Sequence, residues 1–137
     1  MQTLSRRRFA ACALCAAGGV LVAEIGARAQ TGGLTRTVLN RVEYPGDKMV
    51  TVQVLVEIAP NFAVPRHTHP GVENATILEG GGVLGMKGSA DRAVGAGESF
   101  QLPYETPHLL RNGPARTRIV SVYVVEKDKP LASPAPE

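Results

Sequence analysis

The sequence predicts an all-β fold, and three observations carry that expectation. Val50, Val52, Val54, Val56 and Ile58 alternate with Thr51, Gln53, Leu55 and Glu57, the period-two pattern of a strand with one buried face. Other short runs rich in β-branched residues recur at near-regular spacing, and Gly, Pro, Asn or Asp separates most of them. Long helical periodicity is absent beyond the N-terminal segment. Many short strands spaced in this way mean a sandwich, a jelly roll or a barrel.

The first segment stands apart. Ser5, the arginines Arg6, Arg7 and Arg8 and then Phe9 form a twin-arginine pattern, followed by an apolar run and a small-x-small site at Ala27 and Ala29. A basic n-region, an apolar h-region and such a site read as an export signal over residues 1–29, with a periplasmic or secreted product. An uncleaved anchor and a lipoprotein modified at Cys12 are the alternatives. The run falls short of the roughly 20 apolar residues of a span and Glu24 interrupts it, so no stable membrane insertion is expected after cleavage.

After cleavage Gln30 to Gly33 reads as a loose leader, and residues 34–126 form one domain. Its expected strands are 35–42, 48–58, 64–69, 73–78, 83–86, 98–102, 107–111 and 117–125. Turn residues such as Pro45 and Gly46, Pro60 and Asn61, Gly80 to Gly82, Gly95 to Gly97 and Asn112 to Pro114 divide them. Residues 127–137, with Pro130, Pro134 and Pro136, form a Pro-rich tail that cannot be a central strand. Disorder and packing across a neighbouring subunit are both compatible with it.

Composition excludes several functions. Cys12 and Cys15 leave with the signal, so the mature domain has neither a disulfide nor a thiolate ligand. Lys+Arg falls from 15 to 11 and Asp+Glu from 12 to 11, which removes the net charge of +3 and any argument for a nucleic-acid partner. A chain of about 108 residues buries one core and not two.

The chemistry-bearing residues are the only three histidines, His67, His69 and His108. His67 and His69 are two apart, so on a strand both imidazoles share a face. Glu73 follows across a turn at Pro70 and Gly71, and His108 arrives after Pro103 and Pro107. Three imidazoles and a carboxylate suit a divalent Mn, Fe, Co, Ni, Cu or Zn ion. Such a set leaves positions open for water or substrate, whereas a structural zinc site is closed at four ligands and usually contains cysteine.

These residues resemble the cupin family. Its first motif has two histidines one residue apart, then a glutamate, then a glycine; His67, His69, Glu73 and Gly80 match in order and spacing. Its second motif runs glycine, proline, histidine, asparagine, and Gly97, Pro103, His108 and Asn112 reproduce it. One departure is Glu105, which occupies a turn position where the family usually has glycine. The resemblance implies a single cupin β-barrel, a double-stranded β-helix or jelly roll. It also implies one divalent transition metal on His67, His69, Glu73 and His108, and a homodimer.

The compact spacing looks most like small quercetin-dioxygenase-like cupins. That implies a dioxygenase-like oxidoreductase acting on a small oxygenated organic substrate, with Glu73 as ligand, as catalytic base or as both. A non-catalytic metal or small-molecule binder of the cell envelope, and a redox-neutral isomerase, lyase or decarboxylase, are the alternatives, because one fold hosts many chemistries. The low aromatic content favours the binder, since Phe62, Phe100, Tyr104 and Tyr123 supply few rings. Twin-arginine export carries folded proteins, so metallation in the cytoplasm with Fe or Mn is expected, ahead of Ni, Co, Cu or Zn.

Other polar residues carry weaker expectations. Arg66 should face away from the metal by strand parity. Tyr104 and Glu105 lie on the turn before His108 as solvated loop residues, Asn112 supports either the metal ligands from behind or the following turn, and Glu79 belongs to a turn. Gly80 to Gly82 is not a phosphate loop, because no helix with a lysine follows.

Overall fold

The computed structural model describes residues 28–136. The twin-arginine segment lies outside the described residues, apart from Arg28 and Ala29. Within them the chain is built of strands alone: β1 (Arg28–Thr31), β2 (Leu34–Glu43), β3 (Met49–Ile58), β4 (Ala63–Thr68), β5 (Gly71–Glu79) and β6 (Gly81–Met86), followed by β7 (Arg92–Gly95), β8 (Ser99–Leu102), β9 (His108–Asn112), β10 (Thr117–Glu126) and β11 (Ser133–Pro134). No helix among these residues is long and apolar enough to cross a membrane.

Two antiparallel sheets face each other, one ordered β1-β2-β3-β10-β5-β8 and the other β11-β4-β9-β6-β7. The alternation over β3 does what its sequence demands: Val50, Val52, Val54, Val56 and Ile58 are buried, and their neighbours lie on the outer face. β10 repeats the pattern with Ile119, Tyr123 and Val125 inward, and pairs with β3 along its whole length. Val54 and Ile77 are fully buried at the centre of the core.

Three strands escape sequence reading. The leader is not loose throughout, because Gln30 and Thr31 end β1, and Gly32 turns at φ 55 into β2. β1 is fully exposed, so it has no apolar alternation to announce it and exists through its pairing with β2. β7 is four residues long and β11 two, too short to show a period. Gly81 and Gly82, expected in a turn, open β6; a Cβ on Gly82 would stand 2.2 Å from the Arg111 carbonyl oxygen, so glycine permits the close approach of β6 to β9. Glu79 ends β5 and meets Arg118 at 3.0 Å.

Asn112 ties the two sheets together at the end of β9 opposite His108. Its Nδ2 donates to the carbonyls of Ile58 at 3.3 Å, Ala59 at 2.7 Å and Ala115 at 3.0 Å, and its Oδ1 accepts from Thr117 Oγ1 at 2.5 Å. Thr117 Oγ1 in turn accepts from the Gly81 amide at 2.8 Å. Of the two roles expected of Asn112, support of the turn is the one these bonds perform, and none of them reaches a histidine or Glu73. Asn112→Ala strips this hub and should lower stability by about 2 kcal/mol; equilibrium urea unfolding would show it, and an unchanged midpoint would count against the hub.

Candidate metal centre

His67, His69, Glu73 and His108 meet between the two sheets. His67 lies near the end of β4 and pairs in register with His108, the first residue of β9. The β4–β9 register shifts between Val64 and His67, where Pro65 and Arg66 bulge out of the ladder. Plain alternation would send Val64 and His67 to opposite faces; with the bulge, Val64 is buried in the core and His67 also faces inward. Glu73 comes from β5 in the opposite sheet, directly across from Tyr123. The ligand atoms of the three histidines lie within 4.8 Å of one another.

Each imidazole is held by its outer nitrogen. Nδ1 of His67 lies 2.8 Å from the Pro65 carbonyl, that of His69 2.6 Å from the Leu131 carbonyl, and that of His108 2.9 Å from the Thr106 carbonyl. A carbonyl only accepts, so each Nδ1 carries the proton and each neutral ring turns the lone pair of Nε2 inward. Glu73 is held the same way: Ser121 Oγ and Tyr123 OH donate to its Oε1 at 2.6 and 2.9 Å. Its Oε2 then faces His69 Nε2 at 3.0 Å and His108 Nε2 at 3.8 Å.

This arrangement fits a cation. The His69 Nε2 is buried without a hydrogen-bond partner although a carboxylate oxygen stands within ion-pair distance. Two lone-pair carriers cannot bond each other, so the pair needs a proton or a metal ion to answer both. His69, Glu73 and His108 are 3%, 6% and 4% exposed, while His67 is half-buried.

Titration follows from burial. Desolvation, aided by the neighbouring His108, lowers His67 to a pKa of about 4, and desolvation also lowers His108. Burial acts to raise Glu73, but its neighbours, His69 first and then Ser121 and His108, outweigh it and hold the carboxyl at about 2. Tyr123 is pushed well above 10 by burial and by the Glu73 charge, so it remains a donor.

The shifts of His67, His108 and Glu73 have one sign for stability, and that of Tyr123 has the opposite sign, felt only above pH 10. The unfolded chain takes up protons on His67 and His108 before the folded one does, so metal-free protein keeps its full stability above pH 6.5 and loses it as pH falls towards 4. Glu73 extends the loss from 4.5 down to about 2. The His67 contribution is on the order of 2–3 kcal/mol, and thermal melts of metal-free protein at pH 7 and pH 4.5 should show it; equal melts would contradict the burial of the site.

Several participants were hidden from sequence reading. Ser121 and Tyr123 were readable in principle, as polar groups at inward positions of an alternating strand. The Leu131 carbonyl was not, because a backbone acceptor leaves no residue signature. It belongs to the Pro-rich tail, which packs along β4 through pairs of Ser133 with Thr68 and Pro134 with His67. Glu105 takes a φ of 49, the left-handed region where glycine is unstrained, and its amide bonds the His69 carbonyl at 3.2 Å. Tyr104 is 51% exposed and donates to Glu126 at 2.6 Å, away from the histidines.

The space beside the histidines is narrow. A chamber of about 40 Å³ lies between His67, Glu73 and His108 and a wall of aliphatic side chains with Phe100 and Tyr123. A groove of about 820 Å³ runs between Thr76, Val122, Met86 and Arg92 and includes none of the histidines. Its size does not make it the site, since none of the converging lone pairs reach it.

Comparison with known proteins agrees with this geometry. The family model described as Cupin domain matches residues 54–123, more than half of the chain. Among solved structures, the DMSP lyase DddQ from Ruegeria pomeroyi is 20% identical, with a TM-score of 0.63 over 86% of this chain and 57% of that one. A Klebsiella pneumoniae protein with a double-stranded β-helix domain is 19% identical, with a TM-score of 0.63 over 87% of this chain and 100% of that one. An oxalate oxidase is 28% identical, with a TM-score of 0.50 over 53% of this chain and 41% of that one. The chain thus spans about half the length of the lyase and oxidase chains. No curated protein matches the sequence.

Proposed function

Because this chain belongs to the cupin family, we propose that it is an exported monocupin that holds one divalent transition metal and oxidises a small oxygenated organic substrate in the manner of a dioxygenase. The observation that carries the reading is the convergence of three Nε2 lone pairs and one carboxylate oxygen, each fixed from behind by its own hydrogen bond. His67, His69, Glu73 and His108 would hold the ion, with Fe or Mn favoured over Ni, Co, Cu or Zn. Bound there, it would act as a Lewis acid and redox centre with positions open to substrate.

The chain's own residues supply the rest. Ser121 and Tyr123 orient Glu73, and their donation to Oε1 leaves Oε2 free to accept a proton from a bound hydroxyl or enol. The aliphatic wall excludes water, and the half-buried His67 marks the side from which small molecules enter. The oxalate oxidase likeness supports oxidation of a small oxygenated compound.

The test is oxygen consumption and product analysis on protein loaded in turn with each candidate ion, against enols, diketones, phenolics and short hydroxy acids. No turnover with any ion would remove the oxidation. The narrow chamber favours a second reading, a non-catalytic binder of metal or a small molecule in the envelope, for which calorimetry would show a ligand retained unchanged. Redox-neutral chemistry with Glu73 as base would instead give product without oxygen uptake. The proposed export, cytoplasmic metallation and homodimer are checked by fractionating cells, by metal analysis of envelope protein and by light scattering.

A further inference from the structure

Arg36 is out of place in the row it occupies. On β2, Leu34, Arg36 and Val38 lie directly opposite Ile58, Val56 and Val54 of β3, so all three point into the barrel. Leu34, Ile58, Val56 and Val54 are buried core residues, and a guanidinium in such a row is costly unless something answers it. Among the described residues nothing does. Arg36 Nε is buried without a hydrogen-bond partner, and every ion pair formed by the other arginines leaves it out. Arg118 also has a buried Nε, but Glu57 and Glu79 face its guanidinium.

Its location gives that unanswered charge a purpose. Arg36 lines the narrow chamber together with His67, Glu73 and His108. It also lines a second cleft of about 350 Å³, between Val38 and Val54 on one side and Leu131 and Ala132 of the tail on the other. It therefore stands where the chamber meets the wider space. Its positive charge is felt at His67, His108 and Tyr123, in line with that proximity. Glu73 is not paired with it: Oε1 accepts from Ser121 and Tyr123, and the short ionic contacts of Oε2 are to His69 and His108, not to Arg36.

We propose that Arg36 is a specificity-determining residue that binds the carboxylate of a short organic acid, holding the acid between the cleft and the histidine cluster. A guanidinium offers five donors in a planar fork matched to a carboxylate, and a partly desolvated one gains most from such a partner. With a divalent ion in place the chamber keeps an excess of positive charge despite Glu73, which selects anions. Its volume admits only a few heavy atoms, which selects short ones. This deepens the metal-site reading and rests on it for the orientation of the acid, though not for the anion site itself.

The experiment is calorimetric titration of the full chain, metal-loaded and metal-stripped, with glycolate, oxalate and uncharged glycolamide, comparing wild type with R36M, R36Q and R36K. Wild type should bind the two anions and prefer them to glycolamide by at least about tenfold. R36M and R36Q should lose roughly tenfold to a hundredfold of that affinity with metal content unchanged, and R36K should fall between. R36M should also melt several degrees higher, because it completes the aliphatic row, whereas a structural arginine would leave the variant less stable. Equal binding by wild type and R36M, no preference for charge, no anion binding in either form, or a lowered melt of R36M would each overturn the proposal. Loss of metal from wild type with Arg36-dependent anion binding preserved would overturn only the metal reading.

Discussion

His108→Ala should abolish stoichiometric binding of a divalent transition metal, with an affinity loss of more than about a hundredfold. Removing residues that merely support a ligand costs typically 10- to 100-fold, and His108 is itself one of the three imidazoles whose inner nitrogens converge. The same change should do little harm to the metal-free fold, because the imidazole is buried at 4% exposure with its inner nitrogen facing other lone pairs. Two readouts separate these effects. Metal at about 100 times its dissociation constant should stabilise wild type by about 2.7 kcal/mol, on the order of 10 °C in melting temperature. The variant should show no such rise while retaining its β-sheet spectrum. A variant that still melts higher with metal would refute His108 as a ligand.

Deleting residues 130–137 should weaken metal binding by about 10- to 100-fold and leave the barrel folded. The tail contributes the Leu131 carbonyl that fixes the His69 tautomer, at 2.6 Å. It is held there by two register pairs with β4 and by the Ala135 amide donating to the Arg66 carbonyl at 3.1 Å. Without that acceptor the His69 ring is free to rotate and to exchange its proton between nitrogens, so the convergent arrangement is populated for only part of the time. The barrel itself depends on β3, β10 and β5, whose ladders run their full length without the tail. A chromophoric chelator in competition would measure the affinity, and circular dichroism the fold. Unchanged affinity in the truncated chain would show that the carbonyl does not matter.

Much of the site was legible because its residues are rare and their spacing is local. Three histidines and one glutamate, two of the histidines separated by a single residue, mark candidate donors whatever the rest of the chain does. The bulge at Pro65 and Arg66 shows where local reading fails. Counting alternation from Val64 puts His67 on the wrong face, and only the pairing of β4 with β9 reveals the extra residue. Arg36 was passed over because nothing in a strand sequence distinguishes an arginine on the outer face from one on the inner. Its neighbours Leu34 and Val38 were the available signal, and the ladder with β3 is what made it decisive.

Period-two alternation, the turn residues and the histidine motif are local quantities, so the sequence by itself determined an all-β chain, the core face of β3 and which residues are candidate donors. Tertiary structure decided which donors meet and what surrounds them. Glu73 and His67 lie on different sheets, and the supports of the site, Ser121, Tyr123 and the Leu131 carbonyl, come from segments 48 to 62 residues distant from their partners. A backbone carbonyl offers the same acceptor at every position in a chain. Only folding selects the one that His69 meets, and with it which imidazole nitrogen is left free to bind.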